Sequence, residues 1–230
     1  MTIGIICALD VEAEGIVRAM TDKKSEEIGG IRFEIGTIAD KTVVCAVCGI
    51  GKVCAAMCAQ TMIVRYAPDA IVNTGIAGTL SDELGIGDIA VSNALVQHDI
   101  DVHDLDRTPR GYHPALNLTE IPAAEELAEK IEKIASSLGV KVKRGVIATG
   151  DQFISSSEIK KTLVDSFGAI ACEMEGGAVA QVCYMNKVPF AVVRAISDGA
   201  NEQSFDDYPA FEKFAAEKSS ETAIRLAKEL

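Results

Sequence analysis

The chain lacks any cluster of basic side chains. Its 22 Lys and Arg are scattered against 34 Asp and Glu, giving a formal charge of −12 over 230 residues. Without a basic patch or stripe there is nothing to hold a phosphate backbone, so nucleic acid is not expected as a partner. Long apolar runs are missing too. The opening Met1-Thr2-Ile3-Gly4-Ile5-Ile6 has no basic segment ahead of it, and Asp10, Glu12 and Glu14 soon interrupt the apolar stretch. Neither a signal peptide nor a membrane span is expected, and the chain reads as cytosolic. No internal repeat, low-complexity tract, composition shift or flexible linker divides it, which predicts one domain over residues 1–230. A hydrophobic content of 48% supplies ample core and argues against disorder.

Seven cysteines, an odd number, fall mostly inside apolar runs and read as buried small hydrophobes of a reducing compartment. Cys45 and Cys48 have C-x-x-C spacing but lie in a strand-like run with no second ligand pair, so they read as structural filler. Short β-rich runs alternate with helix-period segments, the pattern of a mostly parallel sheet with helices on its faces. Strands are predicted over 2–8, 31–38, 41–48, 69–74, 88–97, 142–149, 169–172 and 190–196. Leu127, Ile131, Ile134 and Leu138 mark one face of a helix stopped by Gly139, and Phe211, Phe214, Ala215, Thr222 and Leu226 mark a C-terminal helix with both aromatics in the core. The stretch from Arg107 to Pro122 holds three of the six prolines and reads as a loop bordering a site. Met57, Met62 and that loop are candidates for an interface or a site rim.

In parallel sheets ligands bind beyond the carboxyl ends of the strands. Three predicted ends carry acids: Asp10 and Glu12 after the first strand, Glu173 and Glu175 after a late one, and Asp198 after the run that contains Arg194. Each alone would serve as a helix cap; three around one mouth point to a site. Glycine-rich turns are expected at Gly49-Ile50-Gly51 and at Gly75-Ile76-Ala77-Gly78, where backbone N–H groups can approach a ligand. Neither completes a dinucleotide fingerprint or a phosphate-binding loop. Phe153, between polar residues after another strand, is placed to stack on a heterocyclic base. The alternation of Asp99, Asp101 and His103 is metal-like in composition, but charged loop residues are ordinarily solvated or locally paired, and no metal is expected.

The segments Met1–Ala8 with Glu12, Gly49-Ile50-Gly51-Lys52-Val53, Asn73–Gly78, Gly87-Asp88-Ile89, His98–Val102, Gly150–Ile154, Glu173-Met174-Glu175 and Arg194–Asp198 resemble, in order along nearly the whole chain, the 5′-methylthioadenosine/S-adenosylhomocysteine nucleosidases. The resemblance reaches the wider purine nucleoside phosphorylase-like superfamily. It implies a three-layer α/β/α sandwich with a mixed, largely parallel central sheet, a homodimer, and hydrolysis of the bond between adenine and a 5′-modified ribose without metal or organic cofactor. It further implies Asp198 as general acid toward purine N7, Glu12 as the base for water with Arg194 as its partner, and Glu175 as acceptor for the ribose hydroxyls. Met174 would pack on the ribose, Phe153 would stack on the base, and the main chain at Ile154 would read the adenine edge. Leu9, Ile50, Ile76, Ala77, Gly78 and Ser197 would complete the pocket.

Two departures stand out. Ile76 occupies a position where the family commonly has Ser to help place the water, and His103–Arg107 replaces the expected Thr and aromatics. The second predicts a 5′-specificity shifted or broadened toward smaller or more polar groups. Phosphorolysis is the nearest rival reading, but Asp10 and Glu12 in the first loop would repel phosphate while activating water. The same residues are also compatible with a hydrolase of another nucleoside, such as futalosine, and with a nucleoside-binding protein that does no catalysis.

Overall fold

Strand β1 (Thr2–Cys7), buried along all but its first residue, lies at the centre of the computed structural model, which describes residues 1–230, and pairs in parallel with both β4 (Lys41–Val47) and β5 (Ala70–Thr79). Helix α1 (Asp10–Ala19) leads to an edge hairpin of β2 (Thr21–Ile28) and β3 (Ile31–Ile38), and α2 (Lys52–Tyr66) joins β4 to β5. The second half runs β6 (Ile89–Gln97), α3 (His103–Asp106), β7 (Ile121–Pro122), α4 (Glu125–Ser136), β8 (Val142–Thr149), α5 (Ser157–Phe167), β9 (Ala171–Glu173), α6 (Gly176–Asn186), β10 (Phe190–Asp198) and α7 (Ser204–Glu229).

Apolar side chains of α2 and α6 cover one face of the sheet, and those of α1, α4 and α7 cover the other. This is the expected three-layer α/β/α arrangement, with a closure added. The strand order is β2-β3-β4-β1-β5-β9-β8-β6-β10, and β10 pairs back onto β5, so five strands form a ring. In it β5 and β10 run one way while β6, β8 and β9 run the other. The acids of β9 and β10 therefore meet because oppositely directed strands converge on the end of β5, not because all strands share a direction.

Strand β5 continues to Thr79, so Gly75–Gly78 is strand and not a turn. Its glycines serve close packing: a Cβ on Gly78 would come within 2.9 Å of Asp198 Oδ1. Gly49 and Gly51, with φ of 87° and 97°, do form the expected turn. Strand β2 falls in Thr-Asp-Lys-Lys-Ser-Glu-Glu-Ile, a charged and largely exposed run with no alternation to reveal it. Helix α4 ends at Ser136, so Leu138 lies beyond it. Phe211 and Phe214 are exposed on α7 rather than in the core. Met62 is fully buried with its sulfur against Gly4, which removes it from any interface, whereas Met57 is exposed. The seven cysteines are free thiols, all buried except the half-buried Cys54. No helix is long and apolar enough to cross a membrane.

Candidate active site

A cavity of about 460 Å³ opens where β1, β5, β9 and β10 end. Leu9, Glu12, Ile50, Ile76, Ala77, Gly78, Phe153, Met174, Glu175, Ser197 and Asp198 all line it. Ile154 lines an adjoining recess together with Gln152, Phe153, Cys172 and Asp198. Arg194 lies beneath the wall, wholly buried, in register with Gly75.

Glu12 stands in the first turn of α1 and folds back over it. Oε2 accepts from the N–H groups of Ala8 (2.8 Å) and Leu9 (3.0 Å), and Oε1 accepts from Ile76 N–H (3.0 Å). Burial nevertheless pushes its pKa up, against the pull of Arg194 and these three donors. Glu175 precedes α6; Oε1 accepts from Gly51 N–H (2.9 Å) and Oε2 is 3.5 Å from Arg194 Nη2. Burial raises its pKa to about 7, with Arg194 opposing and Glu173 adding to the rise. Asp198 closes β10, its Oδ1 accepting from Ala200 N–H and its Oδ2 from the Ser197 hydroxyl, both at 2.9 Å.

The expected pairing of Arg194 with Glu12 is not the one formed. Arg194 Nη2 donates to Asn73 Oδ1 (2.5 Å) and to Glu173 Oε2, while Nε and Nη1 have no partner. Asn73 on β5 lies opposite Val192 of β10, two positions from Arg194, whereas Glu173 reaches the guanidinium from β9, which pairs with β5 and β8 and not with β10. Arg194 still approaches Glu12: a Cβ on Gly75 would run into both Arg194 Nη1 and Glu12 Oε1, so these atoms crowd one point.

Several residues of the site carry no sequence signal strong enough to single them out. Phe205, Tyr208 and Pro209 reach the cavity from the start of α7, and Cys172 reaches it from β9 beside Glu173, one of the expected strand-end acids. The Tyr208 ring stands edge-on to Phe153, centroids 5.5 Å apart, and its hydroxyl donates to Glu212 (3.0 Å). An aromatic pair opening a helix after a strand-end acid was the available clue. The segment His103–Arg107 contributes nothing to this wall, and Leu105 is 86% exposed. Asp99 pairs with Lys52 (2.6 Å), and Asp101 accepts from His103 N–H (3.0 Å) as α3 begins, which breaks the extended alternation.

The chain, with its ring of strands and acids gathered at one cavity, belongs to the phosphorylase superfamily, whose model matches residues 2–230. Within it the chain is a member of the 5′-methylthioadenosine/S-adenosylhomocysteine nucleosidase family, enzymes of N-glycosyl hydrolase type. The nucleosidase of that name from Shewanella loihica is 41% identical over 236 residues, covering all of both chains. The Neisseria meningitidis nucleosidase in complex with methylthio-immucillin-A superposes with a TM-score of 0.96 at 32% identity, covering 100% of this chain and 99% of that one. Futalosine hydrolase of Helicobacter pylori superposes with a TM-score of 0.95 at 35% identity, covering 100% and 98%.

Proposed function

We propose that this protein hydrolyses the N-glycosidic bond of 5′-modified adenine nucleosides, releasing adenine. The carrying observation is that Glu12, Glu175 and Asp198, far apart in sequence, line one cavity above a single buried guanidinium. Departure of the base leaves the sugar carbon cationic, so the site must protonate the purine, stabilise positive charge on the ribose and aim a water. Asp198, beside the recess lined by Phe153 and Ile154, is the general acid toward N7. Glu175 accepts hydrogen bonds from the ribose hydroxyls, which requires its ionised form. Glu12, held by three N–H donors and faced by the free edge of Arg194, orients and deprotonates the water. The hydroxyl absent at Ile76 is replaced in part by that edge, while the Ile76 main chain holds Glu12.

Hydrolysis is favoured over phosphorolysis because the wall carries four carboxylates and no Lys, Arg or His. The rim residues Leu9, Ile50, Phe205 and Pro209 support a neutral, apolar 5′ group rather than the more polar one suggested by His103–Arg107. A futalosine-type substrate is the second reading, supported by the likeness to the Helicobacter pylori futalosine hydrolase. The chain acts in the cytoplasm, in keeping with seven unpaired thiols. It assembles as a homodimer through the exposed apolar side chains Val53, Met57 and Val64 of α2 and Met185 of α6, a patch of the kind that marks an interface. The deciding assay incubates the protein with methylthioadenosine, adenosylhomocysteine, 5′-deoxyadenosine, adenosine and futalosine, with and without phosphate. Base release independent of phosphate and fastest with an apolar 5′ group is expected. A strict phosphate requirement reverses the assignment.

A further inference from the structure

Glu173 takes no part in the roles above, yet its side chain is 1% exposed. Burying a carboxylate is costly unless its lone pairs are met, and here they are. Oε2 accepts from the N–H groups of Glu175 (3.0 Å) and Gly176 (2.6 Å) and from Arg194 Nη2. Oε1 accepts from the Thr149 hydroxyl, which in turn accepts from Gly177 N–H (2.7 Å). The fit leaves no slack, because a Cβ on Gly176 would stand only 3.0 Å and 3.1 Å from the two oxygens. One side chain on a three-residue strand thus ties β8, β10 and the first turn of α6 together.

Two site groups take their direction from it. A guanidinium is planar, so holding Nη2 between Glu173 and Asn73 sets where Nη1 and Nε point. Asn73 is itself fixed by donating to Ile6 O (2.9 Å). Nη1, free of other partners, is thereby aimed at the point above Gly75 that Glu12 Oε1 also crowds. Glu175 hangs its own main-chain N–H on Glu173, and its carboxylate stands 3.5 Å from the same Nη2.

We propose that Glu173 is a positioning residue: it pins one end of the Arg194 guanidinium so that the free edge faces Glu12, and it competes with Glu175 for that arginine, leaving Glu175 open to the ribose. This rests on the nucleosidase reading. The charged and titratable groups facing Glu175 are Arg194 from β10, Glu173 from β9, Glu12 from α1, Cys48 after β4 and Tyr208 from α7, with the Gly51 N–H. Removing the Glu173 charge takes away an anion and releases the cation toward Glu175, so Glu175 ionises at lower pH and turns toward Arg194.

The test compares wild type with Glu173→Gln for kcat and KM of adenine release across pH 5–9, alongside the melting temperature. Glu173→Gln is expected to lower kcat/KM at neutral pH about tenfold or more and to move the acid limb of its pH profile down by about one unit. A profile superimposable on wild type, with kcat within about twofold, overturns the proposal. If Glu173→Gln does not fold, Thr149→Val removes the hydroxyl aiming the carboxylate while keeping the charge. It should lower kcat about three- to tenfold with KM nearly unchanged, and unchanged kcat again overturns the role. Wild type that releases no base from any nucleoside instead overturns the underlying reading, and the positioning role with it.

Discussion

Glu175 shows how a binding group is retained at a cost to stability. Its folded-state pKa is near 7, above the ordinary 4.5, because burial disfavours the charge. The native state therefore binds the proton more tightly than the unfolded chain, and stability from this group is full below about pH 4.5 and lost as pH rises through 7. That difference is about 3 kcal/mol as an upper bound. Glu175→Gln is accordingly expected to gain melting temperature over wild type at pH 8 and little at pH 5, while losing turnover at both. Calorimetry at the two pH values checks it, and a gain confined to pH 5 would contradict the burial account. For Asp198, replacement by Asn keeps the shape and removes the transferable proton. Turnover is expected to fall about 10²–10⁴-fold while affinity for a non-hydrolysable nucleoside analogue changes far less, as read by calorimetric titration.

Strand β5 illustrates how an element is shaped by what crosses it. Gly75 has room for a hydrogen only, since Arg194 and Glu12 meet above it. Gly75→Ala should leave the circular dichroism spectrum intact yet lower kcat/KM by about 10²-fold, because catalytic groups displaced by an ångström lose alignment. A fully active alanine variant would show that the two side chains have slack. The same strand marks a limit of reading from sequence. Thr-Gly-Ile-Ala-Gly looks like a turn because glycine is a turn residue, and only the partner side chains, distant in sequence, reveal that it is extended and packed. The acids at 12, 175 and 198 were legible because each follows an apolar run, and the aromatic at 153 because it interrupts polar residues. Tyr208 and Phe205 were not, since a helix start and a cavity wall share one local pattern. Glu173 was visible as an acid but not as a brace, because its four partners come from three elements.

At the level of the whole molecule, the apolar stripe on α2 is the feature a lone chain does not satisfy. Val53 is 70% exposed and Met57 51%, beside a cavity whose rim residue Ile50 is 57% exposed. Met57→Glu combined with Val53→Glu is expected to convert a dimer to monomer in sedimentation velocity and to reduce base release. An unchanged sedimentation coefficient that corresponds to one chain in wild type would remove the assembly proposed above. The overall charge of −12 disfavours contact through carboxylate-rich surfaces, so the proposed assembly would use a surface poor in them.

Gly51, whose main-chain N–H reaches Glu175, caps the start of helix α2, and two residues later the helix offers Val53 to the outside. In the proposed dimer the hold on the sugar and the hold on a neighbouring copy would thus be built from one rigid rod. Whatever seats that rod more firmly from one side steadies it for the other, and by linkage the effect is equal in both directions. Progressive dilution of the enzyme should therefore be felt first as a weakening grip on nucleoside, before any loss of folded structure, and a bound inhibitor should hold the copies together at concentrations where they otherwise part.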